Sequence, residues 1–205
     1  MDDNKKFWDR VAKLYGPIQE KSNQKLYQDV AACAKKYLKE DSNVLEIGCG
    51  TGQFTFPLCE GVKSWEATDF SKKMIVEAQK KTHPNLRYSV EDATLLSFAE
   101  NSFDVVFMAN VLHIIPDPEA ALDEIWRVLH PNGILLAPTF VYEGKFNRVR
   151  MRLTELAGFR TYHKWTAEDM VAYVTKRNYS HVETTMIEGD PLPEAFLAFR
   201  AENKE

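Results

Sequence analysis

The sequence predicts an α/β fold, a Rossmann-like doubly wound sheet of seven mostly parallel strands with helices on both faces and a helical lid at the amino terminus. Three observations carry that expectation. Beyond about residue 40, short apolar pieces alternate with helical stretches, which is how a parallel sheet is written in sequence. The first such piece, Val44-Leu45-Glu46-Ile47, runs into Gly48-Cys49-Gly50-Thr51-Gly52, a strand ending in a glycine-rich turn. The second ends in Asp69, seventeen residues past Gly52, where a doubly wound sheet presents a carboxylate to a ligand.

Taken in order, residues 3–15 place Phe7, Val11 and Leu14 at helical spacing, and Gly16-Pro17 is expected to end that helix before a second one over about 23–38. Strands are expected at 43–47, 65–69, 86–90, 103–109 and 133–140, with helices at 53–60, 71–82 and 118–130 between them. Pro131-Asn132-Gly133 reads as a turn that ends the helix carrying Leu122, Ile125, Trp126 and Leu129 and launches the fifth strand. Residues 146–157 and 166–178 look helical. Strands at 181–188 and 194–200, joined at Gly189-Asp190-Pro191, then close the sheet as an antiparallel hairpin. A chain of 205 residues fits one domain, with a helical lid over 1–40, a ligand-binding core over 41–140, and substrate-side helices and closing strands over 141–205.

Composition narrows the class. A formal charge of -4 gives no basic footprint for nucleic acid. Three cysteines, Cys33, Cys49 and Cys59, form no C-x-x-C pair, so free thiols in a reducing, cytoplasmic compartment are expected. No apolar run approaches the roughly 20 residues of a membrane span. His83, His113, His130, His163 and His181 show no metal-ligand spacing, so no metal is expected.

The glycine turn is the strongest chemical signal. Gly48, Gly50 and Gly52 are spaced G-x-G-x-G and not G-x-G-x-x-G, which weakens a dinucleotide reading. Glu46 would repel a pyrophosphate but suits an ammonium or sulfonium beside the loop. Asp69 is positioned to accept from two ribose hydroxyls, or else to cap the helix starting near Ser71. Asp92 and the Ala93 N–H, just past the third strand, can read the edge of an adenine. The fourth strand ends in Asn110-Val111-Leu112-His113, beside the glycine loop at the carboxyl edge of the sheet. His113 is the candidate general base, since its ordinary pKa lies near neutrality, and its apolar neighbours give the alternative of a packed structural residue.

Together, Val-Leu-Glu-Ile-Gly-Cys-Gly-Thr-Gly, Ala-Thr-Asp-Phe-Ser, Glu-Asp-Ala, Asn-Ser-Phe-Asp-Val-Val-Phe and Trp-Arg-Val-Leu-His-Pro-Asn-Gly, over about residues 40–140, make the chain resemble a class I S-adenosylmethionine-dependent methyltransferase. The likeness is to the small-molecule type that includes ubiquinone and menaquinone biosynthesis methyltransferases. It implies S-adenosylmethionine as methyl donor and S-adenosylhomocysteine as product. It also implies a cofactor site of Tyr15, Glu46, Gly48, Cys49, Gly50, Gly52, Asp69, Phe70, Met74, Asp92, Ala93, Asn110 and Val111. Phe70 and Met74 would flank the adenine, and Tyr15 would reach the cofactor from the lid. Substrate contacts are expected from His113, Phe140, Tyr142, His163 and Trp165, with Phe146 and Phe159 nearby. Methyl transfer to oxygen, nitrogen or carbon of a small molecule is the expected activity. The alternative is a protein that binds the same ligand without catalysis and serves as a regulator or scaffold. The resemblance lacks the Pro-Pro-aromatic motif of nucleic-acid amino-methyltransferases, so a nucleic-acid acceptor is not expected.

Overall fold

The computed structural model describes residues 2–144, 160–189 and 192–202; the expected helix at 146–157, with Phe146 and Phe159, lies outside them. The chain begins with α1 (Asp2–Ser22) and α2 (Gln24–Lys35). There follow β1 (Asn43–Ile47), α3 (Thr55–Cys59), β2 (Ser64–Asp69), α4 (Lys72–Ala78), β3 (Leu86–Val90) and β4 (Phe103–Phe107). After a single 3-10 turn at Leu112–Ile114 come α5 (Pro118–Val128), β5 (Leu129–Leu136), β6 (Thr139–Phe140), α6 (Ala167–Thr175), β7 (Tyr179–Ile187) and β8 (Glu194–Ala201).

The strands form one sheet in the order β3-β2-β1-β4-β5-β8, with β7 also paired to β8. Strands β1 to β5 pair in parallel, while β8 runs antiparallel to β5, β6 and β7. Strands β5 and β6 follow one another along β8, Leu136 opposite Ala198 and Thr139 opposite Ala195. They act as one strand broken at Ala137-Pro138, which reconciles eight assigned strands with the seven expected. The expected turn at Pro131-Asn132-Gly133 is instead a bulge inside β5. Leu129 pairs with Phe103 and Ile134 with Val105, so the extra residues loop out, and Asn132 takes φ 62° to allow it.

Alternation along the strands divides the core in two. Leu45, Ile47, Val106, Leu197 and Phe199 pack on the side of α5 and α6, together with Leu122, Ile125 and Met170. Val44, Val105, Phe107, Phe196 and Ala198 pack on the other side with Trp65, Val30 and Leu58. The helices on these faces start where their caps allow. Asp117 accepts the Ala120 N–H at 3.1 Å ahead of Pro118, and Thr166 and Asp169 form a reciprocal capping box.

Two expectations for the amino terminus are corrected. Helix α1 runs straight through Gly16-Pro17. A proline removes one helical N–H and disfavours a helix interior by about 3 kcal/mol, yet here tertiary contacts outweigh that local preference. Gly16 serves close approach, because a Cβ there would lie 3.0 Å from the Thr51 hydroxyl of the glycine loop. The inward face of α1 is also rotated from the one expected: Asn4 and Ala12 are buried while Leu14 is 66% exposed. The cause is Asn4, whose side chain finds main-chain partners in the interior.

Candidate functional site: a cleft at the carboxyl edge of the sheet

The glycine turn is tied to the end of β2. The Thr68 carbonyl accepts the N–H groups of Gly48 (2.8 Å) and Cys49 (2.9 Å), and Asp69 Oδ2 accepts the N–H of Gly50 (3.0 Å). Asp69 Oδ1 meanwhile accepts the Ser71 N–H at 2.8 Å, and the Ser71 hydroxyl caps α4 through Met74 N. Asp69 therefore joins the turn to the start of α4, and each of its oxygens keeps a second lone pair for a ligand. A phosphate-binding loop offers its N–H groups to the anion. Here three of them are already engaged, which fits the G-x-G-x-G spacing. Gly48, Gly50 and Gly52 all have positive φ. At Gly48 a Cβ would also lie 2.2 Å from Val111 Cγ2, so that glycine lets the loop after β4 touch the loop after β1.

Beside this contact lies an open cleft of about 580 Å³, its mouth included. Its floor is Ile47, Gly48 and Val111, and one wall is Phe70 from the end of β2. Beside it, Glu91, Asp92 and Ala93 follow the neighbouring β3, the Glu91 N–H donating to the Asp69 carbonyl at 3.2 Å, and Ile114, Ile115 and Pro116 also line the cleft. Asn4 and Trp8 of α1, with Tyr162, cover it. Asp92 Oδ1 accepts from the Thr94 N–H (3.0 Å) and hydroxyl (2.8 Å), which fixes the carboxylate at the rim. Helix α1 is fastened over the cleft. Asn4 Nδ2 donates to the carbonyls of Ile114 and Arg160, each at 3.1 Å, and the Ser71 hydroxyl donates to Asp9 at 2.6 Å.

Of the expected cofactor residues, the cleft brings together Gly48, Phe70, Asp92, Ala93 and Val111. Cys49, Gly50, Gly52, Asp69 and Met74 form the layer behind it. Cys49 is buried and burial pushes its thiol well above the ordinary range, so it carries no thiolate. Tyr15 lies over the glycine turn, its Cε1 3.8 Å from where a Gly50 Cβ would stand. Glu46 faces away from the cleft: strand alternation turns it toward Trp65 and α3. There its Oε2 accepts from Trp65 Nε1 and the Thr55 hydroxyl, each at 2.7 Å, and burial raises its pKa to about 7. Its expected place beside a cationic ligand is corrected accordingly.

The expected substrate residues lie beside the cleft and do not line it. His113 is 4% exposed with Nδ1 at 3.0 Å from the Thr139 hydroxyl, and burial, then the nearby His163, lowers its pKa to about 4. This corrects the expectation that it faces a ligand, since the 3-10 turn points the ring under β6 toward Phe140. The His113 carbonyl accepts the N–H groups of Tyr162 and His163, and the His163 ring stacks on Trp165 at 4.7 Å. Trp165 packs on Tyr173 in turn, and Tyr142 lies under the Lys164 ammonium. Sequence reasoning missed Asn4 and Tyr162 in the cleft. It also missed Glu194, a fully buried carboxylate on β8 that hydrogen-bonds Asn110 Nδ2 at 3.2 Å. The signal for Asn4 was its i, i+4 spacing with Trp8 and Ala12.

Among the described residues no helix is long and apolar enough to cross a membrane, and no group of three His, Cys, Asp or Glu is suited to hold a metal.

Gly48→Ala combines a left-handed backbone with a clash against Val111. It should destabilise the protein by about 2 kcal/mol or more in urea unfolding. Gly61→Ala is the control, because nothing lies within 4 Å of its Cβ position, and it should be nearly neutral. A second prediction concerns pH. Burial raises Glu46 to about 7 and Glu194 to about 8. A carboxyl raised in the fold contributes stability present below its unfolded pKa and lost as pH rises through the folded value. His113, lowered to about 4, acts oppositely: its contribution is lost only as pH falls below its ordinary 6.5. The ligand-free protein should therefore lose unfolding free energy between about pH 6.5 and 8. In Glu194→Gln that slope should be shallower, and an equal slope would contradict the assignment.

Residues 45–137 match the methyltransferase-domain family. A demethylmenaquinone methyltransferase of Staphylococcus aureus is 31% identical over 150 residues, covering 66% of this chain and 62% of that protein. Across the curated relatives that match first, the chain spans between 36% and 62% of their length. Among solved structures, a possible histamine N-methyltransferase of Thermotoga maritima superposes with TM-score 0.79 at 20% identity, covering 96% of this chain and 99% of that one. A Haloferax volcanii methyltransferase, solved in complex with the activator Trm112, also gives TM-score 0.79, at 18% identity and covering 96% and 98%. The clamped glycine turn, the strand order and these matches agree: residues 45–137 form a methyltransferase domain, in a fold similar to that of the class I S-adenosylmethionine-dependent methyltransferases.

Proposed function

We propose that the chain transfers the methyl group of S-adenosylmethionine to oxygen, nitrogen or carbon of a small-molecule acceptor by in-line displacement, leaving S-adenosylhomocysteine. The observation that supports this most is the cleft itself: apolar and aromatic walls, a carboxylate at the rim, and a glycine floor whose N–H groups are already engaged. These features suit an uncharged adenine and ribose with a sulfonium tail and fit a pyrophosphate poorly. Phe70 would hold one face of the adenine, with Met74 behind it, and Asp92 with the Ala93 N–H would read its edge. Asp69 would accept from the ribose, and the glycine turn with Val111 would border the methionine end.

The bound donor supplies an electrophilic methyl on sulfur. The chain's part is then to align a nucleophile behind that carbon and to exclude water, which is where most of the rate gain in such a displacement arises. Helix α1, with Asn4, Trp8 and Tyr15, is the cover in this reading. The acceptor proposed is a small apolar or aromatic metabolite, in a cytoplasmic setting. The relatives named for demethylmenaquinone and the neighbour named as a possible histamine N-methyltransferase point to chemically different acceptors, which accords with leaving the atom open.

Calorimetry with S-adenosylhomocysteine tests the reading. The wild-type chain should bind it, and NADH should not compete. Asp69→Asn should weaken binding by about 1.5 to 3 kcal/mol through loss of a charge-assisted bond pair. Unaltered affinity in that variant would refute the ribose assignment, and competition by NADH would refute the ligand class.

A further inference from the structure

Among the described residues, Glu194 is a fully buried acidic group with an oxygen left without a donor. It opens β8, and because β8 runs against the other strands, its first residue lies at the carboxyl edge of the sheet, where β4 ends. Its side chain is fully buried. Oε1 accepts from Asn110 Nδ2 at 3.2 Å, whereas Oε2 has no hydrogen-bond partner among the described residues. Among the described residues no arginine or lysine acts on it, and desolvation raises its pKa. Burial keeps the group protonated near neutrality in the ligand-free protein, and burying a carboxyl with one oxygen left without a donor is costly, so a purely structural role gives no reason for it.

Its surroundings are built. Asn110 takes φ 58°, and its side-chain Oδ1 accepts the Phe140 N–H at 3.0 Å, which aims the amide at Glu194. A left-handed non-glycine residue costs energy and persists where its neighbours hold it. Burial, then Tyr15 and Glu194, pushes up the phenol of Tyr27 of α2, which is hydrogen-bonded to Tyr15 of α1, and Tyr15 lies over Gly50. A ring of Gly50, Tyr15, Tyr27, Glu194 and Asn110 thus runs from the glycine turn to the tip of β4, one residue from the cleft-lining Val111.

We propose that this ring is the methyl-acceptor subsite and that it takes a small primary or secondary amine, whose proton is accepted by Glu194 Oε2. The inference rests on the methyltransferase reading above and deepens it. An amine that enters as an ammonium stabilises the ionised form of Glu194, for which the described residues supply no cation, and phenol rings are favourable neighbours for such a group. Proton transfer from the ammonium to Oε2 leaves a neutral amine and a carboxylic acid. The nitrogen lone pair then forms the new C–N bond as the C–S bond breaks, and that electron pair stays on sulfur as the neutral thioether. Tyr15 closes the ring from α1, the element fastened to the body by Asn4 and Asp9 side-chain bonds, so the amine enters when that helix shifts. Glu194 takes the base role that the sequence suggested for His113, whose imidazole is directed under β6.

The test compares wild-type protein with Glu194→Gln and Glu194→Asp, using tritiated S-adenosylmethionine and two acceptor panels, one of small aliphatic and aromatic amines and one of phenols and quinols. Wild type should methylate members of the amine panel. Glu194→Gln keeps an acceptor for Asn110 and should bind S-adenosylhomocysteine within about two-fold of wild type, while turnover on the amine falls about 100-fold or more. Glu194→Asp should recover part of it. Far-UV circular dichroism and the retained cofactor affinity separate this loss from misfolding. Donor binding with turnover on phenols or quinols alone, with no turnover on either panel, or with undiminished amine turnover in Glu194→Gln, would overturn the proposal and leave the methyltransferase reading standing. Absence of donor binding by wild type would overturn both.

Discussion

The carbonyl of Thr68 accepts two N–H groups of the glycine turn, and the carboxylate of the next residue, Asp69, accepts a third; the rest of the site depends on this knot. It draws the loop after β1 over the end of β2 and fixes where Gly48 stands. That in turn decides where Val111 packs, since the two touch where any Cβ would intrude. A second anchor reinforces it from below, with the Thr68 hydroxyl donating to the Glu46 carbonyl at 2.8 Å. The knot also explains a chemical preference. A turn that spends its N–H groups on the protein presents a small, uncharged floor, suited to an adenosyl ligand and poorly suited to phosphate.

Around this floor the fold is arranged for closure. Helix α1 lies across the cleft, joined to the loop after β4 by Asn4, to α4 by Asp9 and to the glycine turn by the close approach at Gly16. In the proposed reaction this helix is the cover that water exclusion and product release require.

The sheet was legible because its causes are local. Alternating apolar strands, caps such as Asp117-Pro118 and the glycine turn each state their structure within a few residues. Gly48, Phe70, Asp92, Ala93 and Val111 were legible for the same reason, lying at strand ends in fixed order. What could not be read depended on contacts between distant segments. Gly16-Pro17 resembles a stop until Thr51 is seen against it, and Asn4 resembles a solvent residue until its main-chain partners 110 and 156 positions away are known. The Glu46 side chain follows from strand parity once Trp65 is placed opposite, and Glu194 gains meaning only when β8 inserts beside β5 and carries it to Asn110. His113 was singled out for its chemistry, and packing then directed its ring elsewhere.

The central claim is that the cleft between the glycine turn, Phe70 and Asp92-Ala93 holds the adenosyl ligand. A crystal structure with S-adenosylhomocysteine tests it most directly. The account predicts the adenine beside Phe70 with its edge toward Asp92 and the Ala93 N–H, the ribose hydroxyls on Asp69, and the homocysteine end against Gly48 and Val111. Density for the ligand at any other place, or an adenine turned away from Asp92 and Ala93 with Asp69 left free of ribose, would contradict it.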